Sequence, residues 1–265
     1  MAVSASAQQT FKDALAQMKI DQNIGAQVPL DAKFTDEHGQ NIQFGSLLGK
    51  RPVILLPMFF LCKGVCGKET DNLLKTIAKL EDMQVGRDYD VVLLSINPKE
   101  TPELALNKKT SLLKVMKGAS NDEGYHFLTG EMDEIRKVTN SVGFGFAFTY
   151  DGSDVRINHP AGLMFLTPSG KVSQYIMGSD YAKPEVADAL KLAAAEKMGR
   201  KAETVLLGCV MIDPITGQRS LVIENVIRLV AGLFAIGTFA WIGMMIVKSR
   251  RDEAAAAKGG TPTRA

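Results

Sequence analysis

Between Phe34 and Lys197 the apolar positions come in short continuous runs separated by stretches of helical period, a pattern that predicts an α/β domain. Phe34 to Ile42 alternates around Gly39 and reads as a hairpin. Val53 to Leu56 followed by Met58 to Phe60 reads as a buried strand, broken by Pro57. Leu73, Leu74, Ile77 and Leu80 recur at helical spacing, and Val91 to Ile96 forms a second buried strand. A helix is expected from Pro102, a residue suited to the first helical turn, to about Lys117. His126 to Leu128 reads as a short strand, Glu131 to Thr139 as a short helix, and Phe146 to Tyr150 as another strand. Leu163 to Leu166, the turn Thr167-Pro168-Ser169-Gly170 and Lys171 to Met177 make a final hairpin, and Pro184 to Met198 closes the domain as a helix.

The pattern changes at Leu229. From there to Val247 the chain runs 19 residues without a charge, about 28 Å of helix at ~1.5 Å per residue and enough to cross a bilayer. Lys248, Arg250 and Arg251 follow at once, whereas Arg228, offset by Glu224, alone precedes it. The positive-inside rule then puts the C-terminus in the cytoplasm and everything before residue 229 on the other side of the membrane. Asp252 to Ala265, rich in Ala, Gly, Thr and Lys, reads as disordered. The first residues, MAVSASAQQ, hold no charged or apolar export segment, but Ala5-Ser6-Ala7 resembles the small-residue end of a signal peptide. Export through a longer precursor and direct translocation with the single span as topogenic signal both remain open. The expected division is an N-terminal segment 1–25, a domain 26–198, a linker 199–221, a transmembrane helix 222–248 and a cytoplasmic tail 249–265.

Composition narrows the function classes. With 46% hydrophobic and 23% charged residues over 265 positions the chain has material for a sizeable core, which excludes disorder and collagen-like repeats. A net charge of +2 gives no electrostatic reason to expect a nucleic-acid partner. Three cysteines are too few for a disulfide scaffold, and at least one thiol stands outside any pair.

Two of the three carry the candidate chemistry. Cys62 falls at the end of a predicted central strand and Cys66 four residues on, about one helical turn, so both sulfurs can face one point. A helix N-terminus stabilises a thiolate, and Lys63 and Lys68 add positive charge nearby. Of the three histidines, His38 beside a hairpin glycine and His126 at a strand start read as solvated or packing residues. His159 directly precedes Pro160 and the strand Leu163 to Leu166. Thioredoxin-type folds place a proline, commonly cis, at this point, with the residue before it facing the active-site cysteines. Two thiolates and an imidazole suit copper, the thiolates favouring Cu(I) and the imidazole either oxidation state. Zinc fits the ligand types but wants a fourth donor, and the sequence offers none. Cys209 with Met211 could supply soft donors to a second copper, but no His stands near, and a packing role for Cys209 is the expectation.

From about Gly25 to Met198 the sequence resembles the Sco (synthesis of cytochrome c oxidase) copper-chaperone family of thioredoxin-like, membrane-anchored proteins. The resemblance rests on Cys62-x-x-x-Cys66 after an apolar strand, Val91 to Pro98 (VVLLSINP) with Glu100-Thr101-Pro102, His126-Phe127-Leu128-Thr129-Gly130, and Asn158-His159-Pro160 leading into Leu166-Thr167-Pro168-Ser169-Gly170-Lys171. It implies a thioredoxin-like fold with an N-terminal hairpin extension, copper ligation by Cys62, Cys66 and His159, and a part in building the copper A centre of cytochrome c oxidase subunit II. Lys63 and Gly67 stand where the family commonly has prolines, and Asn158 where an Asp usually precedes the His, so the shell that tunes affinity and redox poise differs. The anchor lies at the C-terminus, as in the variant of the family with a late Leu-Leu-x-Cys…Asp-Pro-x-Thr-Gly segment, which Leu206 to Gly217 (LLGCVMIDPITG) fits.

The expected function is therefore a copper metallochaperone in the cytoplasmic membrane. Its soluble domain would face the periplasm, and its partner would be cytochrome c oxidase subunit II or another respiratory subunit. Two alternatives stand beside it. One is a thiol-disulfide oxidoreductase in which Cys62 attacks and Cys66 resolves, although such motifs more often have two intervening residues. The other is an accessory structural subunit of a respiratory complex. A peroxidase of the same fold is disfavoured, because Phe59 stands where its Thr would be.

Overall fold

The structure, a computed structural model, describes residues 17–61, 65–115, 122–151, 154–201, 210–212, 219–221 and 223–259. The chain divides into two units, Met1–Glu203 with Ile212–Arg219, and Thr204–Met211 with Ser220–Ala265.

In the first unit, strands β1 (Lys33–Thr35) and β2 (Asn41–Gln43) form the antiparallel hairpin expected around Gly39. The central sheet holds β3 (Val53–Met58), β4 (Asp90–Ser95), β5 (Tyr125–Leu128), β8 (Gly162–Leu166) and β9 (Val172–Met177), in the order β5-β4-β3-β8-β9. The pairs β3–β4 and β4–β5 are parallel, and β3–β8 and β8–β9 antiparallel. Helix α1 (Val65–Ile77) connects β3 to β4, and α2 (Pro102–Val115) connects β4 to β5. Helix α3 (Met132–Ser141) and a hairpin of β6 (Ala147–Asp151) and β7 (Asp154–Asn158) come before β8, and α4 (Lys183–Ala194) follows β9. This is the thioredoxin-like α/β architecture with an N-terminal hairpin.

Side chains alternate across the pleat, and each face of the sheet builds its own core. Ile54, Leu56 and Met58 of β3 pack with Leu73 and Ile77 of α1, Ala105 of α2 and Leu190 of α4. Val53 and Leu55, on the other face, pack with Ile135 and Val138 of α3 and with Phe34 and Phe44 from the hairpin region. Because both faces are covered, β3 and β4 are buried at every position, which is why Val53 to Leu56 and Val91 to Leu94 read as continuous apolar runs rather than alternating ones.

Several expectations change. Pro57 does not break β3: the strand runs through it, paired with Leu94 of β4. The β3–β8 ladder stops at Leu55, paired with Met164, so no strand partner on that side asks Pro57 for the N–H it lacks. Strand β7 was not foreseen. Helix α4 ends at Ala194 rather than Met198. No cis peptide bond occurs among the described residues, so Pro160 follows a trans bond, the form that X–Pro bonds prefer by about 0.5–1 kcal/mol.

In the C-terminal part, β10 (Val210–Ile212) and β11 (Arg219–Leu221) pair, and α5 runs from Ile223 to Gly259. It continues through Asp252, where disorder was expected, along a run of alanines with high helix propensity. Its 20-residue stretch Leu229–Lys248 is long and apolar enough to cross a membrane, and none of it is buried.

Candidate metal centre

His159 enters the domain through local pairing. The β6–β7 hairpin brings Asn158 opposite Ala147, and the chain then turns through His159, Pro160 and Ala161, all buried, into β8. The imidazole is only 6% exposed and lies against the ring of Phe144, centroids 5.9 Å apart. Its Nδ1 is 2.8 Å from the Pro160 carbonyl oxygen. A carbonyl only accepts, so Nδ1 carries the hydrogen and Nε2 keeps the lone pair that a metal would use. Burial pushes the imidazole below its ordinary value, against a smaller upward pull from the Pro160 carbonyl. The ring is thus neutral at pH 7, the protonation state a ligand needs.

Cys62, with Lys63 and Gly64, lies outside the described residues, and so does Cys209. The backbone of Cys66 is in the first turn of α1, but its side chain is also outside the description. The cysteine pair therefore spans the passage from the end of β3 to the start of α1, the expected strand-to-helix junction. Among the described residues no three His, Cys, Asp or Glu side chains gather as a metal site. The two thiols of the expected ligand set are not among them. Met211 lies in β10, its side chain likewise undescribed.

The other two histidines are set apart. His38 is exposed, its Nε2 3.6 Å from Oε1 of Glu37. His126 sits half-buried in edge strand β5, across β4 and β3 from β8, and burial lowers its pKa.

Two buried carboxyl groups to which the sequence assigned no role at the site frame the junction. Glu100 accepts hydrogen bonds from the Leu61 amide (2.9 Å), the Phe60 amide (3.1 Å) and Ser95 Oγ (2.5 Å). It thereby holds the two residues that lead into Cys62. Burial raises its pKa despite those three donors. Glu69, three residues after Cys66, accepts from the Gly162 amide at 3.1 Å and the Tyr181 hydroxyl at 3.3 Å. Burial pushes Glu69 up to about 8, against the pull of both donors. A signal was available for Glu69, because it stands four residues before Leu73 and so on the apolar side of α1.

The protein-family model SCO1/SenC matches residues 22–195. No curated protein matches the chain. Among solved structures, a protein from Aquifex aeolicus VF5 shares 28% identity over 67% of this chain and 97% of its own, with a TM-score of 0.56. ScoI of Arabidopsis thaliana, solved with copper bound, is 19% identical over 65% of this chain and 99% of its own, with a TM-score of 0.52. ScoI of Bradyrhizobium japonicum, also with copper bound, is 20% identical over 64% of this chain and 99% of its own, with a TM-score of 0.50. At those identities the two ScoI structures establish likeness of fold.

Proposed function

The chain belongs to the SCO1/SenC family, and on that premise we propose that it is a membrane-tethered copper chaperone. Cys62, Cys66 and His159 would hold one copper ion as cargo. The observation that carries this reading is the buried, neutral His159 with its Nε2 lone pair, in the turn that leads into β8 of the sheet whose central strand leads into the cysteine pair. Two thiolates with one imidazole are a soft donor set suited to Cu(I). Copper is also what the two ScoI structures of this fold contain.

The chain's own residues divide the work. The first turn of α1 and the lysines Lys63 and Lys68 favour the thiolate forms of Cys62 and Cys66. His159 supplies a nitrogen that needs no proton removed at pH 7. Copper then leaves by ligand exchange with an acceptor. The copper A site of cytochrome c oxidase subunit II is the acceptor proposed here. The domain 26–198 would face the periplasm on a linker 199–221. Residues 222–248 would span the cytoplasmic membrane, with 249–265 on the cytoplasmic side.

Mixing the copper-loaded full chain with metal-free subunit II tests this. The expected result is copper loss from the chain and its recovery in subunit II, with the copper A absorption spectrum appearing once the loaded subunit is oxidised by one electron with added ferricyanide. If no copper moves, while the reduced, copper-free chain converts an oxidised subunit II to its dithiol, the chain is a thiol-disulfide oxidoreductase instead.

A further inference from the structure

We propose that Glu69 is a positioning residue that sets the approach of the Cys66 helix to His159. The inference rests on the copper-site reading above and deepens it.

The need for an acceptor arises in the sheet. Extending the β3–β8 register beyond Leu55 and Met164 would place Pro57 opposite Gly162, and the ladder ends before that pair. The Gly162 amide donates to Glu69 instead. Gly162 is closely packed: a Cβ there would lie 2.8 Å from Ile20 Cδ1 and 3.1 Å from the Ile176 carbonyl oxygen. It follows His159 by three residues, with the rigid Pro160 between them. One carboxyl oxygen of the Cys66 helix is thus hydrogen-bonded to the segment that bears His159.

Helix α1 is docked by a polar seam as well as by its apolar face. Glu69, Asn72 and Thr76 share one side of the helix. Asn72 Nδ2 donates to the Ser179 carbonyl at 2.8 Å and to Asp180 Oδ1 at 2.9 Å. Thr76 Oγ1 donates to the Tyr181 carbonyl at 2.7 Å. The Tyr181 hydroxyl closes the seam on Oε1 of Glu69, one turn from Cys66. The other oxygen, Oε2, is buried and has no hydrogen-bond partner among the described residues. A group needed only for packing would be apolar here, since a buried carboxyl is costly to desolvate. What the carboxyl adds is directional: it accepts from two elements at once.

The test uses the full chain in detergent with Glu69→Gln, Glu69→Leu and Glu69→Asp, each with and without His159→Ala. Gln keeps an acceptor oxygen at the same reach. Leu keeps the volume but leaves the Gly162 amide and Tyr181 hydroxyl without an acceptor. Asp withdraws the carboxyl by one methylene. Cu(I) affinity is read by competition with a chromogenic chelator, and nitrogen coupling in the Cu(II) EPR spectrum reports the imidazole. The expected result is Gln within twofold of wild type, Asp weakened severalfold, and Leu weakened tenfold or more with its nitrogen coupling lost. Adding His159→Ala to Glu69→Leu should then cost nothing further, because coupled residues are not additive. Wild-type binding in both Leu and Asp, or losses from Glu69→Leu and His159→Ala that multiply, would overturn the proposal. If Leu does not fold, Asp decides alone. A wild-type chain that binds no copper, or a His159→Ala chain that binds it unchanged, would overturn the copper-site reading as well. A loss in His159→Ala with none in Leu or Asp would overturn this one only.

Discussion

Replacing Glu69 by Gln should flatten the pH dependence of stability over the range in which most proteins are handled. In the folded chain burial keeps the Glu69 proton on up to about pH 8, whereas its ordinary value is 4.5. Between those values unfolding releases a proton, so the folded state is favoured in full below pH 4.5 and loses that contribution as the pH rises through 8. Each pH unit in the window is worth about 1.4 kcal/mol, so raising the pH from 5 to 8 takes about 3–4 kcal/mol from the wild type through this group. Glu69→Gln has no proton to release and loses nothing there. Burial pushes His126 and His159 the other way, so their contribution rises with pH through about 6.5. They act equally in both proteins and cancel in the difference. Urea unfolding of the full chain in detergent, followed by far-UV ellipticity at pH 5, 6, 7 and 8, gives that difference directly. A gap between wild type and Glu69→Gln that stays constant from pH 5 to 8 would refute the reading of Glu69 as a buried, protonated carboxyl.

Three further outcomes are expected. Lys109→Met should destabilise the domain by about 3–5 kcal/mol, because it strands a buried carboxylate. Glu37 loses its 2.6 Å partner and is left with the Phe127 amide at 2.9 Å and the exposed His38 ring at 3.6 Å, and adding Glu37→Gln should recover most of the loss in urea unfolding. Glu100→Ala removes the acceptor of the Phe60 and Leu61 amides, at about 1–3 kcal/mol for the buried Phe60 donor left unpaired. Hydrogen exchange at those two amides should accelerate and copper affinity should fall, and unchanged exchange would show that Glu100 does not hold the segment. Ile236→Arg puts a charge near the middle of the apolar stretch Leu229–Lys248, costing about 2.5–3.5 kcal/mol of insertion. The variant chain should become extractable from membranes by alkaline carbonate, which the wild type resists.

The parts of the fold that were legible are those where burial writes a period into the sequence. Val91 to Leu94 is apolar without interruption because β4 is covered on both faces, and Leu73, Leu74 and Ile77 keep helical spacing because α1 buries one side. Pro57 misled because the usual objection to proline in a central strand assumes that both neighbouring ladders reach it, and here β8 has already parted from β3. Strand β7 was missed although Asp154-Val155-Arg156-Ile157-Asn158 alternates polar and apolar; five residues with two apolar positions, beside Gly152-Ser153, make a weak signal. Of the site, His159 stood out by its position before Pro160. Glu69 and Glu100 were not legible as partners of the site. Their roles come from contacts 93 and 39–40 residues away along the chain, and no local pattern records those.

The most direct test of the copper site is the stoichiometry and affinity of Cu(I) for the reduced full chain, beside Cys62→Ala, Cys66→Ala and His159→Ala. One equivalent bound tightly by the wild type, with affinity lost in all three variants, is the predicted result. A His159→Ala chain that binds copper as the wild type does would contradict the ligand set. A wild type that binds none while its cysteines cycle between dithiol and disulfide would contradict the copper function itself.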